Sequence, residues 1–407
     1  MTDTPNSHLF RPRLHLGTVE IPVHHMRGGT STGIVLWRGA LPVDEALLEE
    51  LLRHLMGVPL TGLAPGNKQI TGLGRGIPTS NKVFIVNSDA ANNRIASTLA
   101  QLAADKSAID WSVNCGNMSA ALPLFAHDAG WLNPSETFAE VEIYNTNTNT
   151  TMLARLKLKD GEVNCDTQIP GVNGSFPGVD LFLQDPVGSK TGLLFPTGNV
   201  KDCIGDVDVT CVDVSVPMII VKAADLKQTG YESPEELDGD VLFKDKLREL
   251  WTQAAMRMKL RRRDGELMSA AELSSSETTP KICIVSEPRE HGDINTRYFT
   301  PQNAHPSLAV SGGCCLASAS LIEGTVAHDV SLKRHSLSRQ IEEFNVVVEN
   351  PAGSLETVIK AARSANTLTI QAAAYRRNAQ ILLKGTVPLY RSSKALIEAL
   401  SSQTRGE

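Results

Sequence analysis

The sequence predicts two similar α/β domains, and three observations carry that reading. The chain has 407 residues, enough for two domains of ordinary size. Apolar strand patterns recur in both halves. Each half also has a glycine-containing turn with a cysteine that leads from strands into a helix, first at Asn114-Cys115-Gly116 and then at Ser311-Gly312-Gly313-Cys314. The shared order of strands, turn, helix and strands is a weak internal repeat of pattern rather than of identity. It points both helix starts into one cleft between the domains, a common place for a ligand.

Taken in order, residues 1–15 read as a flexible N-terminal arm, 16–195 as the first domain and 196–407 as the second. Val19–His25 and Gly33–Trp37 are strands around a polar turn. Asp44–Met56 is an amphipathic helix, with Leu47, Leu48, Leu51, Leu52 and Leu55 at helical spacing. Lys82–Val86 is a strand after a glycine-rich loop. Phe138–Tyr144 alternates as a half-buried strand does. Met152–Leu158 and Glu162–Thr167 form a hairpin around Lys159-Asp160-Gly161. Pro170–Asn199 reads as loop, dense in glycine and proline. Thr210–Val221 opens the second domain as one apolar strand. Residues 223–273 read as a charged helical insertion of unassigned role, whose run Leu260-Arg261-Arg262-Arg263 suits a solvated helix end. Lys281–Ser286 is a strand, Ser311–Leu321 a helix, and Phe344–Val348, Thr367–Ala373 and Ala379–Lys384 are late strands.

Composition narrows the function classes. With 41% hydrophobic and 21% charged residues, the chain reads as an ordinary globular protein. A net charge of −6 and the lack of a basic, aromatic-rich face speak against nucleic acid. No run approaches the roughly 20 apolar residues that cross a bilayer. Residues 1–9 have neither the apolar core nor the basic cluster of a secretory signal. The seven cysteines include no CxxC pair, which fits reduced thiols in a cytoplasmic protein and supplies no zinc spacing. The adjacent Cys314 and Cys315 are poorly placed to ligate one iron–sulfur cluster.

Several motifs suit chemistry on a carboxylic acid. Ser112–Ala121 places Cys115 and the backbone N–H groups of Gly116, Asn117, Met118 and Ser119 at a helix start, which attracts anions and favours a thiolate. A buried structural cysteine before an ordinary helix is the competing reading. Arg27-Gly28-Gly29-Thr30-Ser31 combines close backbone approach with hydroxyl and guanidinium donors; a plain glycine turn is the alternative. Gly72-Leu73-Gly74-Arg75-Gly76 lacks the ending of a phosphate loop and leads into a strand, so it does not bind a nucleotide. Ser80 and Lys82 stand at the mouth of the next strand. There a lysine is either a solvated strand end or, in a closed cleft, a base. Ser189 and Lys190 lie in a second polar loop, either binding a carboxylate or turning between domains. His305 precedes Ser311 and Gly312, and either relays a proton or is structural. No hydrolase pattern is present.

These pieces together resemble the PrpF-like isomerases, which share the diaminopimelate epimerase fold. Met26-Arg27-Gly28-Gly29-Thr30-Ser31, Thr79-Ser80-Asn81-Lys82, Asn114-Cys115-Gly116-Asn117, Asn145-Thr146-Asn147-Thr148 and Asp185–Gly192 appear in the family's order, and Pro196-Thr197-Gly198-Asn199 extends the last block. The resemblance implies an α+β architecture of two similar domains, each a curled, mostly antiparallel sheet around a central helix, with the site between them. The last strand is a candidate to return to the first domain. The resemblance also implies an isomerase of aconitate, 2-methylaconitate or 4-oxalomesaconate that uses no metal or organic cofactor, with Lys82 as acid/base and Cys115 beside the substrate. The expected partner is a small di- or tricarboxylate, with no nucleic acid and no membrane, and a homodimer is the candidate assembly. Diaminopimelate epimerase uses one cysteine from each domain. Here the second turn reads Ala309-Val310-Ser311-Gly312, so a two-thiol racemase is the weaker alternative. A non-catalytic carboxylate-binding protein is the reading from outside the enzymes.

Overall fold

The computed structural model describes residues 10–404 except 113, 263, 277–278, 301 and 365–366. Residues 1–9 of the expected arm, and Arg263 of the basic run, lie outside the described residues. The fold is sheet-rich α+β, and the chain divides into two compact units, Met1–Leu181 with Arg377–Glu407, and Phe182–Arg376.

The first unit begins with β1 (Arg13–His15), which pairs Arg13 with Glu20 of β2 (Thr18–Gly28). The end of the expected flexible arm is therefore strand. Phe10 before it is also buried, against His24, Phe125 and Trp131. β2 turns at Gly29-Thr30 into β3 (Ser31–Trp37). α1 (Glu45–Met56) follows, capped by the Asp44 carboxylate accepting from the Leu47 N–H and ended by Gly57 in the left-handed region. β4 (Lys82–Asp89) runs parallel to β3, and β5 (Arg94–Leu102) antiparallel to β4. Next come β6 (Ile109–Asp110), α2 (Gly116–Ser119), α3 (Ala121–Asp128), β7 (Phe138–Asn145) parallel to β5, and β8 (Thr150–Lys159) antiparallel to β7.

Alternation decides what each face of this sheet covers. Val19, Ile21 and Val23 of β2, Ile34 and Leu36 of β3, and Val83 and Ile85 of β4 pack on α1 and on the C-terminal helix. The other face meets α2 and α3, where Ala121–Ala126 are all buried. A helix apolar all round belongs in a core. β9 (Glu162–Val163) completes the expected hairpin, but Thr167 falls in β10 (Thr167–Ile169), which pairs with β11 (Val172–Phe176). β11 and β12 (Gly178–Gln184) correct the loop expected over Pro170–Asn199. Their glycines and aspartate obscure the strand period. The first unit ends inside β12, earlier than the expected boundary at 195/196.

The second unit contains β13 (Asp202–Ile204), β14 (Val207–Val214) and β15 (Val216–Lys222). The single expected strand Thr210–Val221 is thus a hairpin that reverses at Ser215, where φ is +62°. The polar residues nearest the turn, Asp213 and Ser215, alternate with valines as they would in one continuous strand, so the pattern does not mark the reversal. α4 (Pro234–Gly239), α5 (Val241–Arg257) and α6 (Ala270–Ser274) lead to β16 (Lys281–Ser286), which is parallel to β15. β17 (Ile294–Thr300) is antiparallel to β16, and β18 (Asn303–Ala304) follows. Then come α7 (Val310–Ser320), α8 (Val326–Val330), β19 (Glu342–Asn350) parallel to β17, and β20 (Gly353–Ser364) antiparallel to β19. β21 (Thr367–Pro388) is one strand where two were expected. It starts in the second unit and ends in the first, before α9 (Lys394–Thr404). The polar triplet Arg376-Arg377-Asn378 breaks its apolar pattern without breaking its backbone.

The two units share one connectivity: an antiparallel hairpin, outer helix, parallel strand, antiparallel strand, inner helix, parallel strand and antiparallel strand. Residues 223–273 occupy the slot that α1 fills in the first unit. They are therefore part of the repeat, which corrects their reading as an insertion. Phe243, Leu247, Leu250, Trp251, Ala254 and Ala255 of α5 are buried against Val209, Ile219, Ile282 and Ile284, and the charges lie on the opposite face. α7 is the inner helix, with Gly312–Ser320 wholly buried. A Cβ on Gly312 would stand 2.4 Å from the Tyr298 ring, so small residues set how close the helix comes.

If α5 covers the second sheet, Trp251→Ala lowers unfolding free energy by about 3–5 kcal/mol. Arg261→Ala, on an exposed side chain, changes it by less than about 0.5 kcal/mol. Denaturant titration of both variants measures the difference. Equal effects would show that the segment is not a structural cover.

Candidate active site

The first unit gathers Lys82, Cys115, Ser31, Gly28, Gly29 and Asn117 around the β2–β3 turn. Gly28 pairs with Ser31 across the hairpin, and Gly29 takes φ +52°. A Cβ on Gly28 would come within 2.6 Å of the Asn117 carbonyl oxygen and 2.9 Å of the Met118 Cα. One on Gly29 would come within 2.6 Å of Asn117 Oδ1. The hairpin tip thus rests directly on the backbone of α2, which only a residue without Cβ permits.

Cys115 caps α2 in an extended conformation, and its sulfur lies 3.8 Å from Ser31 Oγ. Its carbonyl accepts from the Ser119 N–H at 2.9 Å and the Ser119 hydroxyl at 3.0 Å. Gly116, Asn117 and Met118 precede that first helical bond, the place where backbone donors have no intrahelical acceptor. Met118 is buried in the core beneath them. Asn117 Nδ2 donates to Thr30 Oγ1 at 3.2 Å, while its Oδ1 accepts from Arg377 Nε at 2.9 Å.

Lys82 opens β4 opposite Gly33 and is 6% exposed. Burial pushes its ammonium below the ordinary lysine value of 10.5, and the charge of a Cys115 thiolate acts the other way. Just before Lys82, Ser80 closes a short helical turn and is half-buried. Asn81 is fully buried; its Oδ1 accepts from the Arg75 N–H, and its carbonyl accepts from the Leu102 N–H and Gln101 Nε2. The glycine loop has its donors engaged in the same way. The N–H groups of Gly72, Leu73 and Gly74 go to the carbonyls of Gln69, Leu55 and Met56, and that of Gly76 goes to Gln69 Oε1. The loop folds around Gln69 instead of a phosphate.

Arg27 sits differently from its expected role. It lies on the face of β2 opposite Gly28 and is 9% exposed. Its Nη1 donates to the Gly29 carbonyl at 2.9 Å and to Asn378 Oδ1 at 2.7 Å, and its Cζ lies 4.5 Å from the Phe176 ring centroid. Nη2 has no protein partner and is sealed from solvent. Among the described residues no carboxylate pairs with Arg27, so this guanidinium holds the turn from behind. Sequence reasoning missed Asn378, Phe176 and Arg377. The signal for two of them is a polar triplet, Arg376-Arg377-Asn378, inside a largely apolar stretch.

The other candidates lie in the second unit. Ser189 and Lys190 are exposed, in a loop folded around the fully buried Asp213. That carboxylate accepts from Ser189 Oγ at 2.6 Å, the Lys190 N–H at 2.9 Å and the Thr191 hydroxyl at 2.9 Å. His305 Nδ1 accepts from the Ser307 N–H at 3.0 Å, which places the proton of the neutral ring on Nε2. Its ring stands edge-on to Tyr298 at 5.8 Å. Ser311 and Gly312 begin α7, and the Ser311 carbonyl accepts from Ser215 Oγ. Cys314 and Cys315 are fully buried further along that helix, and burial holds the Cys315 thiol well above the usual range. Neither is an available second thiol.

The family model described as PrpF protein matches residues 18–390. A 4-oxalomesaconate tautomerase of Pseudomonas putida is 32% identical over 381 residues, covering 93% of this chain and 98% of the relative. A 3-methylitaconate isomerase of Eubacterium barkeri is 30% identical over 392 residues, covering 91% and 97%. Among solved structures, a methylitaconate-delta-isomerase aligns with a TM-score of 0.74 and 27% identity, over 96% of this chain and 98% of that one. No described helix is long and apolar enough to cross a membrane.

Two outcomes follow from this geometry. Gly28→Ala forces a Cβ into the α2 backbone and destabilises the protein by about 1–3 kcal/mol, measured by denaturant melts; an unchanged midpoint refutes the close approach. The second concerns pH. Because its folded pKa is lowered, Lys82 binds fewer protons folded than unfolded, so its penalty is present at neutral pH and fades as pH rises toward 10.5. Lys82→Met therefore raises Tm at pH 7, and the gain shrinks by pH 10. A lower Tm at pH 7 means that the lysine is held as a stabilising cation.

Proposed function

The chain belongs to the PrpF family, isomerases that act on unsaturated carboxylates, and we propose that its substrate is an aconitate-like tricarboxylate isomerised through a dienolate. The observation that carries this reading is a buried lysine of lowered proton affinity beside a cysteine at the edge of a glycine turn. A neutral Lys82 takes a proton from the carbon next to the conjugated C=C–carboxylate system. The electron pair left behind spreads over the double bond and the carboxylate. Backbone N–H groups at Gly116 and Asn117 and the Ser31 hydroxyl face the growing negative charge. With its double-bond character reduced, the central bond rotates, or the double bond re-forms one carbon along when Lys82 returns the proton. The step is redox-neutral, and atoms balance without a co-reactant. Cys115 acts as a second acid/base or as a hydrogen-bonding wall.

A second reading has support in the 32% identical tautomerase: keto–enol tautomerisation of a 4-oxalomesaconate-type acid. It uses the same proton abstraction and differs in the substituent, which pocket shape selects. An amino-acid epimerase is less well supported, because Cys314 and Cys315 are sealed in α7.

Proton NMR in D₂O with cis-aconitate, trans-aconitate, 2-methylaconitate and 4-oxalomesaconate, each offered alone, tests the proposal. A new isomer carrying deuterium identifies the substrate and the proton transfer. No conversion and no exchange with any of the four would sink the enzyme reading as stated. Lys82→Ala is expected to lose about 10²–10⁴-fold in kcat with the fold intact, and Cys115→Ser to lose less. Near-normal turnover in the lysine variant removes Lys82 from the mechanism; abolished turnover with intact binding in the cysteine variant makes the thiol the base.

A further inference from the structure

We propose that Arg377 grips a carboxylate of the substrate, the role that sequence reasoning gave to Arg27; this rests on Lys82 and Cys115 marking the reacting centre. Strand register carries the argument. In the β2–β21 pair, Gly28 stands opposite Ala379 and Arg27 opposite Gln380. Directly paired residues share a face, and residues two apart share it again. Arg377 therefore lies on the face of Gly28, which meets Asn117 and Met118. Arg27 shares its face with Asn378 and Gln380. The hydrogen bonds agree: Arg377 Nε donates to Asn117 Oδ1 at 2.9 Å, whereas Arg27 Nη1 donates to Asn378 Oδ1 at 2.7 Å.

Accessibility and charge point the same way. Arg377 is half-buried and already meets α2 through Asn117. Arg27 is nearly closed off, and its one nitrogen without a protein partner is sealed from solvent. Lys82 must be neutral to accept a proton, and so cannot also neutralise a carboxylate in the same step. A guanidinium stays charged and offers a planar fork that matches a carboxylate. Docking through Nε fixes that plane two residues beyond Cys115. Asn117, tied to Thr30 on its other side, is the residue that orients it.

The test uses three unreactive acids as ligands of the full-length protein: tricarballylate, and glutarate and methylsuccinate, each of which lacks one of its carboxylates. Dissociation constants are measured by calorimetry for the unmodified protein, R377A and R377K. The expected result is that R377A weakens tricarballylate about tenfold to hundredfold. It weakens one of the dicarboxylates less than threefold, because that ligand has already lost the gripped group. R377K keeps the charge and the side-chain stem, guards against a folding defect, and fails to restore the bidentate grip. Equal binding of tricarballylate by the unmodified protein and both variants overturns the proposal. So does an equal loss for all three acids, which is the mark of a distant charge, or a loss in R27K with none in R377K. If the Arg377-dependent pattern appears while Lys82→Ala keeps its turnover, the base assignment fails and the carboxylate grip stands.

Discussion

The contact on which the first unit's site depends is the seating of the β2–β3 turn on the backbone of α2. Gly28 brings two main chains closer than any side chain allows, and Gly29 packs directly on the Asn117 side chain. That approach sets Ser31 beside Cys115, and it gives Asn117 a partner on each side, Thr30 and Arg377. Arg27 and Asn378 hold the same turn from its other face. The turn is therefore braced front and back, and the Cys115 sulfur takes its place from the contacts around this turn. Rigid support of this kind is what a proton-transfer site needs, because the reacting atoms must sit within hydrogen-bond reach.

Lys82 is the expensive residue of the arrangement. Apolar strand residues would hold β4 against β3 equally well, and burying an amine costs free energy that the fold must supply elsewhere. α1 and α9 cover one face of this sheet and α3 lies on the other. In the second unit the corresponding first residue of β16 is Lys281, whose pKa burial also lowers. The helix that follows there has Ala309 as its cap, then Val310 and Ser311, where the first unit has Cys115 as the cap, then Gly116 and Asn117. One scaffold plan thus carries two differently equipped helix starts, and the thiol belongs to one of them. The match to proteins named as isomerases spans nearly the whole chain, so the shared plan extends well beyond the motifs.

Much of the fold was legible. Leu48, Leu51, Leu52 and Leu55 give α1 its period, and Asp44 and Gly57 mark its ends. The alternation of Phe138–Asn145 and the Asp160-Gly161 turn fixed the β7–β8–β9 region. Strands buried on both faces were harder: β14 and β15 merge because Asp213 and Ser215 keep the two-residue alternation running through the turn, and β21 splits because a polar triplet interrupts its pattern. The helical segment 223–273 looked foreign because its charges dominate the composition. Its buried stripe becomes visible only against the sheet it covers.

For the site, residue type and near neighbours were enough to mark candidates. Lys82 at a strand mouth, Cys115 at a helix start and the glycines of the turn stand out by residue type and neighbours, and the structure places all of them around one turn. The role of an arginine is not local. Arg27 stands in the conspicuous motif, yet strand alternation turns it away from Cys115, while Arg377, some 260 positions from Asn117 in sequence, is brought beside it by the β2–β21 register. A pattern along the chain shows which residues can do chemistry. Which face of a strand they share, and with whom, is set by pairing between distant segments, and a single residue of register reverses that face.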